Sequence, residues 1–177
     1  MGLRPGRCYT KIHRPYTRQS RRRPRKGYVK GVPKPKITVF EAGTKDNYKN
    51  TIFLISKDHK QIRHNALESA RVAVTQTLEK HISKGEKFFF KTRVYPHHIL
   101  RENAMATGAG ADRFQQGMRA SFGKPISTAA QVKVGQKIME IQINDANLKL
   151  AKKAFKQAGY KLPVLCRIEI VKNDIKL

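Results

Sequence analysis

The chain contains no acidic residue before Glu41. Thirteen Lys and Arg stand ahead of it: Arg4, Arg7, Lys11, Arg14, Arg18, Arg21, Arg22, Arg23, Arg25, Lys26, Lys30, Lys34 and Lys36. They carry half of the formal net charge of +26, which 38 Lys and Arg against 12 Asp and Glu produce. A segment so charged repels itself and buries too little apolar surface to pack alone. It calls for a polyanion, and nucleic acid is the natural candidate.

Other absences narrow the class. There are two Cys, Cys8 and Cys166, with no C-x-x-C pair and no Cys/His set at zinc spacing. That supports neither a disulfide scaffold nor a zinc ribbon. Cys166 reads as a small core residue and Cys8 as packed beside Tyr9; a reducing, cytosolic setting fits. No apolar run approaches the roughly 18 residues needed to cross a bilayer. No apolar segment follows the basic N-terminus, which excludes a secretory signal. Pro5, Pro15, Pro24 and Pro33 disfavour the amphipathic helix of an organellar transit peptide. Trp is also missing, which decides nothing.

What is present suffices for one folded body. Residues 1–36 read as an extended basic arm, and residues 37–177 as a single α+β domain. A hydrophobic content of 39% with eight Phe and six Tyr argues against disorder throughout. Within the arm, Tyr9, Tyr16 and Tyr28 are interleaved with cations, a pattern suited to stacking on bases while cations hold phosphates. Prolines and glycines keep the arm out of helix and sheet, so it orders only on binding.

Strand signals begin at Lys36–Phe40, where Ile37 and Val39 share a face, and continue at Thr51–Ile55. A helix follows. Asp58 reads as its N-cap, with Gln61 completing a capping-box variant. Leu67, Ala70, Val74, Leu78 and Ile82 form its stripe, Lys80, His81 and Lys84 crowd its end, and Gly85 stops it. Arg71 falls inside the stripe, either paired with Glu68 or facing RNA. In 88–94, Phe88, Phe90, Thr92 and Val94 point one way, and Phe89, Lys91 and Arg93 the other. Val132 and Val134, then Met139, Ile141 and Ile143, read as a hairpin about Gly135-Gln136. A second helix capped by Asn144 or Asp145 carries Leu148, Ala151, Phe155 and Ala158 and stops at Gly159. Val164, Cys166, Ile168 and Ile170 alternate in a last strand. The order predicts two helices packed on a mainly antiparallel sheet.

Periodicity fails in a long Gly-rich loop over 103–124. Gly108, Gly110, Gly117 and Gly123 allow close backbone approach to another molecule, and Arg113, Arg119 and Lys124 add charge. A short helix from Asp112, with Phe114 and Met118 on one side, fits its tip. The loop lacks the third glycine of a dinucleotide fingerprint and any Gly-Lys-Ser/Thr. His97 and His98 are adjacent on an extended chain and point to opposite faces, so with Glu102 they make a poor metal set. Two competing classes are an RNA-acting enzyme using the loop with His97 or His98, and a general nucleic-acid chaperone.

Several blocks, in order, carry a resemblance. They are Met1-Gly2-Leu3-Arg4-Pro5-Gly6-Arg7-Cys8-Tyr9, Gly31-Val32-Pro33-Lys34-Pro35-Lys36-Ile37, Ala66-Leu67-Glu68-Ser69-Ala70-Arg71 and Arg93-Val94-Tyr95-Pro96-His97-His98. Further on come Gly110-Ala111-Asp112-Arg113-Phe114-Gln115-Gln116-Gly117-Met118-Arg119, Gly123-Lys124-Pro125 and Val134-Gly135-Gln136-Lys137-Ile138-Met139. Over nearly its whole length the chain resembles the ribosomal protein ten-e family. That family is the archaeal and eukaryotic branch of the one containing bacterial large-subunit protein sixteen. The short C-terminus looks archaeal. Ala104 departs from the Lys expected at that position in most relatives, which removes one cation at the loop base.

The resemblance implies a structural protein of the cytoplasmic ribosome, with no catalysis, cofactor, metal, membrane or homo-oligomer. It implies a body in a cleft of large-subunit rRNA beneath the central protuberance, beside the aminoacyl-tRNA acceptor arm and among neighbouring ribosomal proteins. The loop then points towards the peptidyl-transferase centre, and the protein joins late in assembly. Together with the charge pattern, this assigns rRNA contact to Arg4, Arg7, Lys11, Arg14, Arg18, Arg21, Arg22, Arg23, Arg25, Lys26, Lys34, Arg71, Lys91, Arg93, His97, His98 and Arg101. It assigns the tRNA side of the loop to Met105, Gly108, Gly110, Asp112, Arg113, Gly117, Met118, Arg119 and Lys124.

Overall fold

A computed structural model describes residues 4–12, 29–82, 86–105, 108–110, 113, 115, 117–119 and 121–173. Along the chain run strands β1 (Glu41–Gly43), β2 (Asn50–Ser56) and β3 (Lys60–Arg63), then helix α1 (His64–His81). Strands β4 (Phe89–Thr92), β5 (His98–Glu102), β6 (Lys124–Val132) and β7 (Lys137–Ile143) follow, then helix α2 (Leu148–Gly159) and strand β8 (Cys166–Lys172). The class is α+β, as the element order predicts. The strands divide into two sheets, β1-β4-β7-β2-β8 and β3-β6-β5, and all their pairings are antiparallel.

β2 lies between β7 and β8, and every one of its seven residues is buried. That position explains its unbroken apolar run, since a central strand covered on both faces shows no alternation. Leu67, Ala70, Val74 and Leu78 of α1 are fully buried, as are Ala151, Phe155 and Ala158 of α2, so both stripes face inward. The helices meet each other, and Thr77 Oγ1 donates to Gln157 Oε1 at 2.5 Å across the contact. One hydrophobic cluster joins both sheets, from Ile62 and Val132 to Ile52, Ile141 and Phe155. Truncating a side chain as buried as Phe155 to Ala costs about 3–5 kcal/mol.

Several local expectations are corrected. Lys36–Phe40 is not a strand: pairing starts at Glu41, Ile37 is buried, and Val39 is 47% exposed. Asp58 caps no helix. Its Oδ2 accepts from the Leu165 N–H at 3.0 Å and from Lys60 Nζ at 2.9 Å, while Gln61 lies in β3. α1 therefore begins at His64, without a side-chain cap, and ends at His81, short of Gly85, which lies outside the described residues. In 88–94 Phe90, Thr92 and Val94 point inward, but Phe89 on the other face is buried as well, with Lys45 Nζ 5.6 Å from its ring centre.

The Gly135 turn does not close a hairpin. β6 and β7 belong to different sheets, so the chain crosses from one to the other there. Gly135 has φ +78°, which suits glycine. Its N–H donates to Ser56 O at 2.9 Å, and the Ser56 N–H donates to Gln136 O at 3.0 Å, which locks the crossing to the end of β2. Nor do Asn144 and Asp145 cap α2. Their side chains accept from the Lys49 N–H and from Asn50 Nδ2, and a short 3-10 turn at Asp145–Asn147 leads into the helix.

Candidate nucleic-acid interface

The start of the arm is docked on the three-stranded sheet. Gly6–Tyr9 forms a 3-10 turn, contrary to a wholly extended arm. The Gln61 N–H of β3 donates to Thr10 O at 2.9 Å, and Gln61 Nε2 donates to the carbonyls of Tyr9 (3.3 Å) and Lys11. Arg63 Nη1 donates to Arg4 O at 3.2 Å, and its guanidinium lies 5.5 Å from the Tyr9 ring centre. The Tyr9 hydroxyl donates to Glu102 Oε2 at 3.0 Å, and Arg4 Nε lies 3.4 Å from Glu102 Oε1. Tyr9 is thus held by the body. Burial, then the bond to Glu102, pushes its phenol above the usual value of 10.0. Cys8 is exposed rather than packed. Cys166 is half-buried, and burial raises its thiol to about 11, which makes it unreactive.

Glu102 is the last residue of β5, and it pairs with Lys124 at the start of β6. The long loop is therefore the connection of an antiparallel pair, and the docked turn sits against its base. A cleft of about 310 Å³ between them is lined by Arg4, Cys8, Tyr9, His98, Arg101 and Glu102. The Arg101 guanidinium lies 3.6 Å from the Phe122 ring centre, and its Nη1 donates to Phe122 O. Asn103 Nδ2 donates to Gly117 O at 3.2 Å, which ties the loop back on its base. The Arg113 N–H donates to Gly110 O at 3.1 Å. Gly108, Gly110, Gly117 and Gly123 all have positive φ. Met105, Met118, Arg113, Arg119 and Lys124 are exposed.

The predicted cations separate into two groups. Arg71 is held by Glu68 through two hydrogen bonds, at 2.9 and 2.6 Å, so the ion-pair reading of that residue is the one observed. This pairing raises its pKa further. Lys91 Nζ lies 2.7 Å from Glu41, and Arg93 is paired with buried Glu140. Glu41 also takes Lys45 at 2.7 Å, and these bonds hold its carboxyl at about 2. Among the described residues, Arg7, Lys11, Lys34, Arg113, Arg119 and Lys124 form no ion pair. His97 is exposed, whereas His98 is 1% exposed. His98 lines the cleft from within, whereas His97 is open to the surface. Arg14, Arg18, Arg21, Arg22, Arg23, Arg25, Lys26 and Asp112 lie outside the described residues, as do Tyr16, Tyr28 and Phe114. Among the described residues no three His, Cys, Asp or Glu gather as metal ligands. No described helix is long and apolar enough to cross a membrane.

The sequence reading missed Gln61, Arg63 and Phe122 as supports of this region, and weighed Glu102 only as a metal ligand. No local signal marks them, since Tyr9 and Glu102 are 93 positions apart.

An α+β body, a docked basic turn and a glycine-rich loop with exposed cations define the class of basic proteins built to face nucleic acid. Residues 14–169 match the family model described as ribosomal protein L16p/L10e. The chain is 48% identical over 174 residues to the large ribosomal subunit protein uL16 of Metallosphaera sedula, covering 97% of this chain and 95% of that one. It is 46% identical over 173 residues to the same-named protein of Sulfolobus acidocaldarius, covering 96% and 94%. To that of Methanococcus aeolicus it is 45% identical over 182 residues, covering 98% and 100%. The chain belongs to the ribosomal protein L16p/L10e family, a family of structural ribosomal proteins and not of enzymes.

Proposed function

We propose that this protein binds large-subunit rRNA beside the aminoacyl-tRNA path and helps shape the tRNA sites near the peptidyl-transferase centre, joining late in subunit assembly. The arm, residues 1–36, grips rRNA phosphates. The domain, residues 37–177, supplies shape, and the 103–124 loop meets the tRNA acceptor arm. The observation that carries this reading is the docking of the arm's first turn at the loop base through Glu102. It ties the most cationic segment to the most glycine-rich one, so RNA held by the first fixes the origin of the second. Arg7, Lys11, Arg113, Arg119 and Lys124, which form no ion pair among the described residues, meet phosphate directly. Arg71, Lys91 and Arg93 contribute less, since each already faces a carboxylate.

The test is the salt dependence of binding to an rRNA fragment. Each phosphate contact contributes about −0.7 to −0.9 to the log–log slope. Removing residues 1–36 flattens that slope strongly if the arm neutralises phosphates. An unchanged slope removes the role given to the arm.

A further inference from the structure

The helix layer stops short of the last strand. β8 is an edge strand that pairs with β2, placing Ile168 opposite Leu54 and Ile170 opposite Ile52. Opposed residues of a ladder share a face. Ile52 and Leu54 are 0% and 1% exposed, whereas Ile168 and Ile170 are 38% and 37% exposed. The core face of the sheet thus runs out from beneath α2. A groove of about 630 Å³ lies there, lined by these two isoleucines together with Leu54 and Phe155. Tyr160 and Leu165, 74% and 69% exposed, complete its apolar wall. Lys152, Lys153 and Lys156 of α2 also line it, and among the described residues no acidic one does.

We infer that this groove is a docking site for an amphipathic helix of a partner protein, with Leu or Ile on its buried side and Asp or Glu along the edge beside α2. A helix laid there extends the helix layer over β8 and buries the remaining core face. The lysines supply charge complementarity for acidic residues. They also disfavour a second copy of this chain, which carries +26. Nucleic acid is the poorer fit, because it presents mainly phosphate and sugar, which an apolar floor cannot satisfy. An added strand is disfavoured by Arg167 and Glu169, which place charges along the β8 edge. The groove shares no lining residue with the cleft under the arm.

The test titrates the full chain with a synthetic Leu/Glu peptide in amphipathic helical order, and with the same residues scrambled. Both carry equal charge, so general attraction to a basic protein cancels. The ordered peptide is expected to bind at least ~10-fold more tightly and to shift the methyl NMR signals of Leu165, Ile168 and Ile170. Ile168→Glu is expected to reduce it to the scrambled level. If that variant unfolds, Leu165→Glu, at a more exposed position, decides the same point. Equal affinities, or discrimination that survives both substitutions, overturn the inference. So does an rRNA oligonucleotide that shifts these three residues when the ordered peptide does not.

Discussion

The Tyr9 hydroxyl and the Glu102 carboxylate join the arm to the loop base at 3.0 Å. A hydrogen bond to a charged acceptor contributes about 1.5–3 kcal/mol when buried, and about 1 kcal/mol in a partly exposed site such as this. Tyr9→Phe is expected to loosen the docked turn. The Gln61 amide reports on it, because it donates to Thr10 O. Its hydrogen exchange should quicken by roughly fivefold. Unchanged protection would show that the hydroxyl contributes nothing. The phenol's pKa is raised in the folded state, so its contribution is complete below pH 10 and is lost as pH rises through the higher folded value. The Phe variant lacks that alkaline step.

Gly123 closes the loop with φ +75°, and a Cβ there would lie 2.7 Å from the Glu102 carbonyl carbon and 2.8 Å from the Asn103 nitrogen. Gly110 has a similar φ of +77° but open space around it. Gly110→Ala is expected to cost about 1 kcal/mol from backbone strain alone. Gly123→Ala adds the steric clash and is expected to cost about 2–3 kcal/mol or more. Thermal unfolding of the two variants separates these effects. Equal shifts would refute the steric account.

The Lys36 N–H donates to His64 Nδ1 at 2.9 Å, which requires that nitrogen to be unprotonated. Burial lowers the His64 pKa below 6.5, and the charges of Lys36 and Arg63 lower it further. The neutral ring is therefore the folded form. Its contribution is complete above pH 6.5 and is lost as pH falls through the lower folded value. Protection of the Lys36 amide should drop on acidification. His64→Asn, which keeps an acceptor but no titrating ring, should abolish that drop. A pH dependence that persists in the variant would assign it to another group.

Arg113 is exposed, and among the described residues only its backbone N–H is engaged, by Gly110 O. Arg113→Ala should leave the melting temperature within about 1 °C, since exposed changes usually cost under about 0.5 kcal/mol. Large subunits carrying the variant should bind aminoacyl-tRNA more weakly or mature more slowly. A clear loss of stability with normal ribosome function would reverse the role given to this residue.

Composition and short-range pattern were enough for the class of fold, both helical stripes, the buried run of β2 and the loop without periodicity. These follow from repeats of two and 3.6 residues, which each segment carries whatever its neighbours do. The acid-free first 40 residues and the ordered motif blocks were likewise sufficient for the ribosomal family. Contacts between distant segments decided the rest. Asp58 has the chemistry of a cap, yet the Leu165 N–H, 107 positions away, takes its carboxylate. Gln61 completes a capping-box spacing, yet serves the carbonyls of Tyr9 and Lys11. The Gly135 turn looks local, but its flanking strands join different sheets, β7 pairing with β2 and β4 and β6 with β3 and β5. A polar side chain bonds whichever donor or acceptor the fold brings within 3 Å. Sequence spacing does not record which one that is, and here only tertiary hydrogen bonds and an ion pair set the arm against the base of the loop.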